Sequence, residues 1–122
     1  MKSLVDLEKK INSELTTKIN DSKMNHGQLY IEIDSEDLLD VSLFLKTNKD
    51  TKFRQLIDIT AVDYPEKTKR FKLVYLFLSH EFNQRILINY FINENEVVPT
   101  LTKIFPSANW MEREVFDMYG VK

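Results

Sequence analysis

The chain has 122 residues, 43% of them hydrophobic and 30% charged, with 17 basic and 19 acidic side chains for a net charge of −2. Such a balance suits one globular domain with a single core and argues against an electrostatic nucleic-acid binder. The absence of cysteine excludes disulfides, thiolate nucleophiles and cysteine-held iron–sulfur clusters, and two glycines leave little room for a phosphate-cradling loop.

Leu4, Leu7, Ile11, Leu15 and Ile19 recur at steps of three and four, which predicts an amphipathic helix over residues 4–20 opened by a Ser3–Asp6 capping box. Polar turn chemistry follows, from Asn20 to Lys23 and from Asn25 to Gly27. Leu29-Tyr30-Ile31-Glu32-Ile33 alternates as a half-buried strand. Asp34 or Ser35 then caps a second helix, striped by Leu38, Val41 and Leu45 and ending near Lys46.

Three further strands are expected. Residues 53–63 alternate imperfectly, with Leu56 and Val62 breaking the pattern of Ile57, Ile59 and Ala61, so this strand reads as buried on both faces. Phe71 to Ser79 and Arg85 to Phe91 complete an antiparallel meander, while the first strand joins through the second helix in a parallel pairing. A short helix around Pro99 is stopped by Pro106, and Ser107 starts a last helix that Gly120 closes. The expected fold is α+β: a two-layer α/β sandwich with a mixed sheet of about four strands, helices mainly on one face, and residues 1–122 as one domain. No apolar run approaches the ~20 residues needed to cross a bilayer, and no signal-peptide pattern opens the chain, so it is expected to be soluble or held at a membrane by partners.

The last helix is the densest stretch. Met111, Val115, Met118 and Tyr119 would line one face, with Glu112, Arg113, Glu114 and Asp117 around the rest. One reading is an ordinary amphipathic helix with a charged outer face. The other is an interface, with the single tryptophan, Trp110, beside Arg113 as an anchor.

Catalytic chemistry finds no constellation. Glu112 and Glu114, two apart on a helix, point away from each other. His80 and His26 sit in turn-like stretches, and no zinc spacing, Walker loop, dinucleotide fingerprint or nucleophile elbow is present. Asp63 before Tyr64-Pro65 reads as turn chemistry, whereas Asp58, if buried, would need Arg54, Arg70 or Arg85 as a partner. Lys67, Lys69, Arg70 and Lys72 among Phe71 and Tyr75 superficially suit base stacking, but acidic residues flank the patch and a solvated hairpin tip is expected.

Several blocks carry a family resemblance. Trp110, Glu112-Arg113-Glu114 and Phe116-Asp117-Met118-Tyr119-Gly120-Val121 form one; Asp58-Ile59-Thr60-Ala61-Val62-Asp63-Tyr64-Pro65 forms another. Between them stand Arg70-Phe71, Val74-Tyr75, Leu78-Ser79, Pro99-Thr100-Leu101 and Ile104-Phe105-Pro106. In this order the blocks resemble the C subunit of respiratory NADH–quinone oxidoreductase, complex I, from about Phe53 to Val121. The resemblance implies a non-catalytic subunit of the peripheral arm that binds no cofactor and packs against the large quinone-site subunit. NADH, FMN, quinone and iron–sulfur clusters would belong to neighbouring subunits, no nucleic acid would be bound, and membrane association would come only through partners. The expected location is the cytoplasmic side of a bacterial inner membrane or the matrix side of the mitochondrial one. Trp110, Glu112, Arg113, Glu114, Asp117, Met118 and Gly120 would be assembly contacts or buried structural pairs, with no catalytic or metal-binding residue. The family's usual C-terminal tail, with its His-Pro-Asp and paired-Arg segment, is expected to be missing here. The alternatives are the equivalent subunit of a membrane-bound hydrogenase or related quinone-linked complex, or a free-standing small α+β enzyme using Glu112 or Asp117.

Overall fold

The computed structural model describes residues 4–25, 27–69, 71–93 and 98–119, and the side chains of all but 116–119 among them. Its first helix, α1 (Leu4–Glu14), buries Leu7 and Ile11. The helix stops earlier than its apolar periodicity suggests, because Thr16 turns its hydroxyl back to the Asn12 carbonyl at 2.7 Å and a 3-10 turn, Thr16–Lys18, follows.

A hairpin comes next: β1 (Asp21–Asn25) pairs antiparallel with β2 (Gln28–Glu32). Here the expected polar turn is a fifth strand. Its side chains are nearly all exposed, so no alternation marks it; the unpaired edge of β2 supplies its partner, and Gly27 at φ +75° turns the chain between them. One 3-10 turn, Ser35–Asp37, leads into α2 (Leu38–Thr47), whose buried stripe is Leu38, Val41, Ser42 and Leu45. Asp34 does not cap with its side chain; its carboxylate accepts instead from the Asn20 amide at 2.9 Å.

β3 (Gln55–Asp63), β4 (Phe71–Ser79) and β5 (Gln84–Ile92) form the expected antiparallel meander, and β2 pairs parallel with β5. The sheet order is therefore β1-β2-β5-β4-β3. This makes β3 an edge strand, contrary to the two-faced burial its composition suggests. A bulge between Leu56 and Asp58 inserts Ile57, so the buried positions fall at Leu56, Ile59 and Ala61 while Ile57 and Val62 stay 41% and 38% exposed. The bulge is the physical source of the imperfect alternation.

In β4 alternate residues Phe71, Leu73, Tyr75, Phe77 and Ser79 are buried, and the residues between them are half-buried. One sheet face thus carries the core, which α1, α2, the segment from Val98 to Phe105 and the last helix, α3 (Ala108–Tyr119), complete. Within that core the Tyr75 and Tyr90 rings stack at 5.7 Å and their hydroxyls meet at 2.7 Å. Burial pushes the Tyr75 phenol above its ordinary pKa; the Tyr90 hydrogen bond works against the shift and the negative charge of Glu112 adds to it.

The helix expected around Pro99 is, in residues 98–107, a single turn. The Ile104 and Phe105 amides both donate to the Leu101 carbonyl, at 3.0 and 2.7 Å. Lys46 fixes this turn from α2, donating to the Ile104 carbonyl at 2.5 Å with its ammonium 5.4 Å from the Phe105 ring centre.

Candidate functional site

α3 lies against β3, burying Ala108, Met111 and Val115 as its periodicity requires. Ser107, expected as its cap, sends its hydroxyl to the Leu56 carbonyl at 3.3 Å and so ties the start of the helix to the edge strand. Glu112 faces inward and is 5% exposed. Its Oε1 accepts the Thr100 hydroxyl at 2.7 Å and its Oε2 accepts the Leu101 amide at 2.8 Å. The carboxylate therefore serves the donors at the start of the Leu101 turn, much as a capping side chain serves a helix. Sequence reasoning marked Glu112 but missed its bonds to Thr100 and Leu101 and the bond from Lys46 to Ile104, because the bonded groups come from segments far apart in the chain or from main chain without a side-chain signature.

The other marked residues divide. Trp110 is 59% exposed, and Arg113 and Glu114 are also exposed. The side chains of Asp117 and Met118, and all of Gly120, lie outside the described residues. Glu112 and Glu114 do point apart, one into the core and one outward.

Between α3 and β3 runs a groove of about 190 Å3, lined by Asp58, Ile59, Thr60, Ala61, Trp110, Met111, Glu114 and Val115. Asp58, which would need an arginine if buried, is exposed. Its carboxylate accepts the Ile59 amide at 2.9 Å and the Thr60 hydroxyl at 3.4 Å, steadying the bulge. Arg54 pairs with Glu81 instead, at 3.1 Å, alongside Lys52 at 2.7 Å. These cations hold the Glu81 carboxyl below its usual range, the Lys52 hydrogen bond being the larger cause.

Elsewhere the chemistry is structural. His80 shares a hydrogen bond with the Gln55 side chain at 2.7 Å in an exposed turn; His26 lies outside the described residues. Phe71 and Tyr75, the rings that would stack on bases, are buried in the core, while Lys67 sits 4.9 and 4.7 Å from the Tyr64 and Phe91 ring centres and Lys72 lies 5.8 Å from Phe91. Asp34, Glu36 and Asp37 bring carboxylate oxygens within 4.8 Å of one another before α2, where Asn20 and Lys18 engage Asp34 and Asp37.

The family model for the respiratory-chain NADH dehydrogenase 30 Kd subunit matches residues 31–122, spanning β2 to α3. The chain belongs to that family. Among relatives of the 30 Kd family, the NADH-quinone oxidoreductase C subunit of Ruegeria pomeroyi is 50% identical over 95 residues, covering 78% of this chain and 48% of that protein. The C subunit from Ruegeria sp. strain TM1040 is 40% identical over 121 residues, 99% of this chain and 60% of its own length. The chain thus spans about half to three fifths of these relatives. A chain of the membrane-bound sulfane sulfur reductase, an archaeal respiratory membrane complex, superposes with a TM-score of 0.80 at 26% identity, covering 96% of this chain and 68% of that one. The α+β sandwich is therefore a fold shared by the 30 Kd family and a respiratory membrane complex of another chemistry.

Proposed function

We propose that the chain is a non-catalytic structural subunit of NADH–quinone oxidoreductase, serving electron transfer from NADH to quinone by holding catalytic neighbours in place. The observation that carries this reading is the family match across residues 31–122, joined to C-subunit relatives at 36–50% identity over most of the chain. The partner is the large subunit that forms the quinone site, and the contact surface is the outer side of α3 with Trp110, Arg113 and Glu114. Asp117, Met118 and Gly120 extend that surface in the proposal. Glu112 has a different part: it locks α3 to the Leu101 turn and so fixes the surface rather than touching the partner.

NADH, FMN, quinone and iron–sulfur clusters belong to neighbouring subunits in this scheme. No helix among the described residues is long and apolar enough to cross a membrane. Attachment through partners on the cytoplasmic or matrix face accords with that. The equivalent place in a related quinone- or hydrogen-linked complex is the second reading, supported by the fold of the sulfane sulfur reductase chain; its 26% identity against 36–50% for the C-subunit proteins favours the first.

The test is a pull-down from native membranes with the native chain and with Arg113→Ala. Recovery of iron–sulfur and quinone-module subunits by the native chain, lost in Arg113→Ala without a change in circular dichroism, supports the proposal. A chain that comes down alone in every form, while folded, overturns it.

A further inference from the structure

The groove between β3 and α3 brings two carboxylates together beside an exposed indole. Several surface acids have cations: Glu81 pairs with Lys52 and Arg54, Asp37 and Asp40 with Lys18, and Glu14 and Asp50 with Lys10. Asp58 and Glu114 line one groove from opposite elements, and neither forms an ion pair among the described residues. Trp110, the most exposed large hydrophobic side chain among the described residues at 59%, lines the same groove. Below lie the buried apolar side chains of Met111 and Val115. Two carboxylates, an exposed indole and an apolar floor complement one kind of group: a guanidinium on an aliphatic stem, which stacks on an aromatic face, hydrogen-bonds carboxylates and lays its methylenes on apolar surface.

Size and position narrow the occupant further. At about 190 Å3 the groove is smaller than the roughly 300–1,000 Å3 of small-molecule sites, and suits one long side chain rather than a free metabolite. Four consecutive residues, from Asp58 to Ala61, line it, so it follows the free edge of β3 rather than one face of the sheet. An edge strand accepts an extended segment through its unpaired main chain.

We infer that this groove receives an arginine side chain from an extended segment of a partner subunit, seated on Trp110 between Asp58 and Glu114. The identity of the partner as a respiratory subunit rests on the proposed function; the cation chemistry rests on the groove. The arginine supplies the cation that both carboxylates lack, and its stem covers Met111 and Val115.

Trp110 is the only tryptophan, so its emission reports on the groove directly. The probe is an acetylated and amidated Val-Arg-Val-Arg-Val peptide, with the same peptide carrying citrulline for arginine as the neutral isostere. With the folded 122-residue chain, the arginine peptide is expected to shift Trp110 emission saturably. Citrulline, Glu114→Gln, or Asp58→Asn with Glu114→Gln should weaken binding by on the order of tenfold, as should high salt. Equal binding of the citrulline peptide, an unchanged affinity in the folded double variant, no saturable shift, or self-association of the chain that buries Trp110 would each overturn the inference. The membrane pull-down separates the two proposals. If the chain recovers its partners and Asp58→Asn with Glu114→Gln leaves that recovery intact, the arginine site falls and the subunit reading stands. If no form of the chain recovers partners, the subunit reading falls and the peptide titration alone decides the groove.

Discussion

Glu112 Oε1 lies 2.7 Å from the Thr100 hydroxyl, which makes a carboxylate in the middle of α3 the anchor of a turn twelve residues earlier. Its second oxygen takes the Leu101 amide, and with Glu112 only 5% exposed and Leu101 buried no water replaces that bond cheaply, whereas the exposed Thr100 hydroxyl can turn to solvent. Hydrogen bonds to a charged group contribute about 1.5–3 kcal/mol each, and a donor orphaned in the interior costs about 1–3 kcal/mol. Glu112→Ala should therefore destabilise the chain by about 3 kcal/mol, at the upper end of those ranges. Glu112→Gln keeps an acceptor oxygen and should lose about half of that. Urea midpoints measure both; a Glu112→Ala midpoint equal to that of the parent would remove the anchor from the account.

Tyr75 and Tyr90 offer a cleaner energetic test. The two hydroxyls bond each other in the core, so Tyr75→Phe removes this bond and should cost about 0.5–1.5 kcal/mol. Replacing both by phenylalanine removes donor and acceptor together and should cost less than the sum of the two single changes. A double-mutant cycle with additive costs would show that the pair is not coupled.

The edge position of β3 predicts a contrast along one strand. Ile59→Ala empties a buried site and should cost about 2–5 kcal/mol. Val62→Ser, three residues on and on the open face, should stay within about 0.5 kcal/mol. Equal losses would restore the two-faced burial that the composition suggested.

Glu81 gives a pH signature. Its folded-state pKa is held below the usual carboxylate value, so its pairing with Lys52 and Arg54 favours folding above the unfolded pKa, and this contribution is lost as pH falls through the folded value. The group is exposed, so the effect should be small and should fade in high salt. Carboxyl chemical shifts followed through an acid titration should show Glu81 titrating below its ordinary range in the parent and moving upward in Lys52→Ala. An identical titration in the two forms would dissolve the pairing.

Much of the fold was legible because it is written in local periodicity. The 3.6-residue stripes of Leu7 and Ile11, of Leu38, Val41 and Leu45, and of Met111 and Val115 each became a buried helix face. The long apolar run of Phe71 to Ser79 and the polar turns around it gave the meander. β1 was illegible for the converse reason: a polar edge strand is held by main-chain pairing to β2, which leaves no side-chain pattern. The bulge at Ile57 hid the edge position of β3 in a related way, since one inserted residue shifts the phase of alternation and mimics two apolar faces.

The same division holds at the candidate site. Sequence by itself determined that α3 would present a buried apolar stripe beside a crowd of charges, and its blocks carried the resemblance to the complex I subunit family. It could not say which of those charges would turn inward. Glu112 and Glu114 differ only in their phase around the helix, and that phase acquires meaning when the Leu101 turn packs on one side and β3 on the other. Only the tertiary structure made Glu112 an internal anchor and set Glu114 across a groove from Asp58, because these relationships depend on donors and walls that arrive from distant parts of the chain.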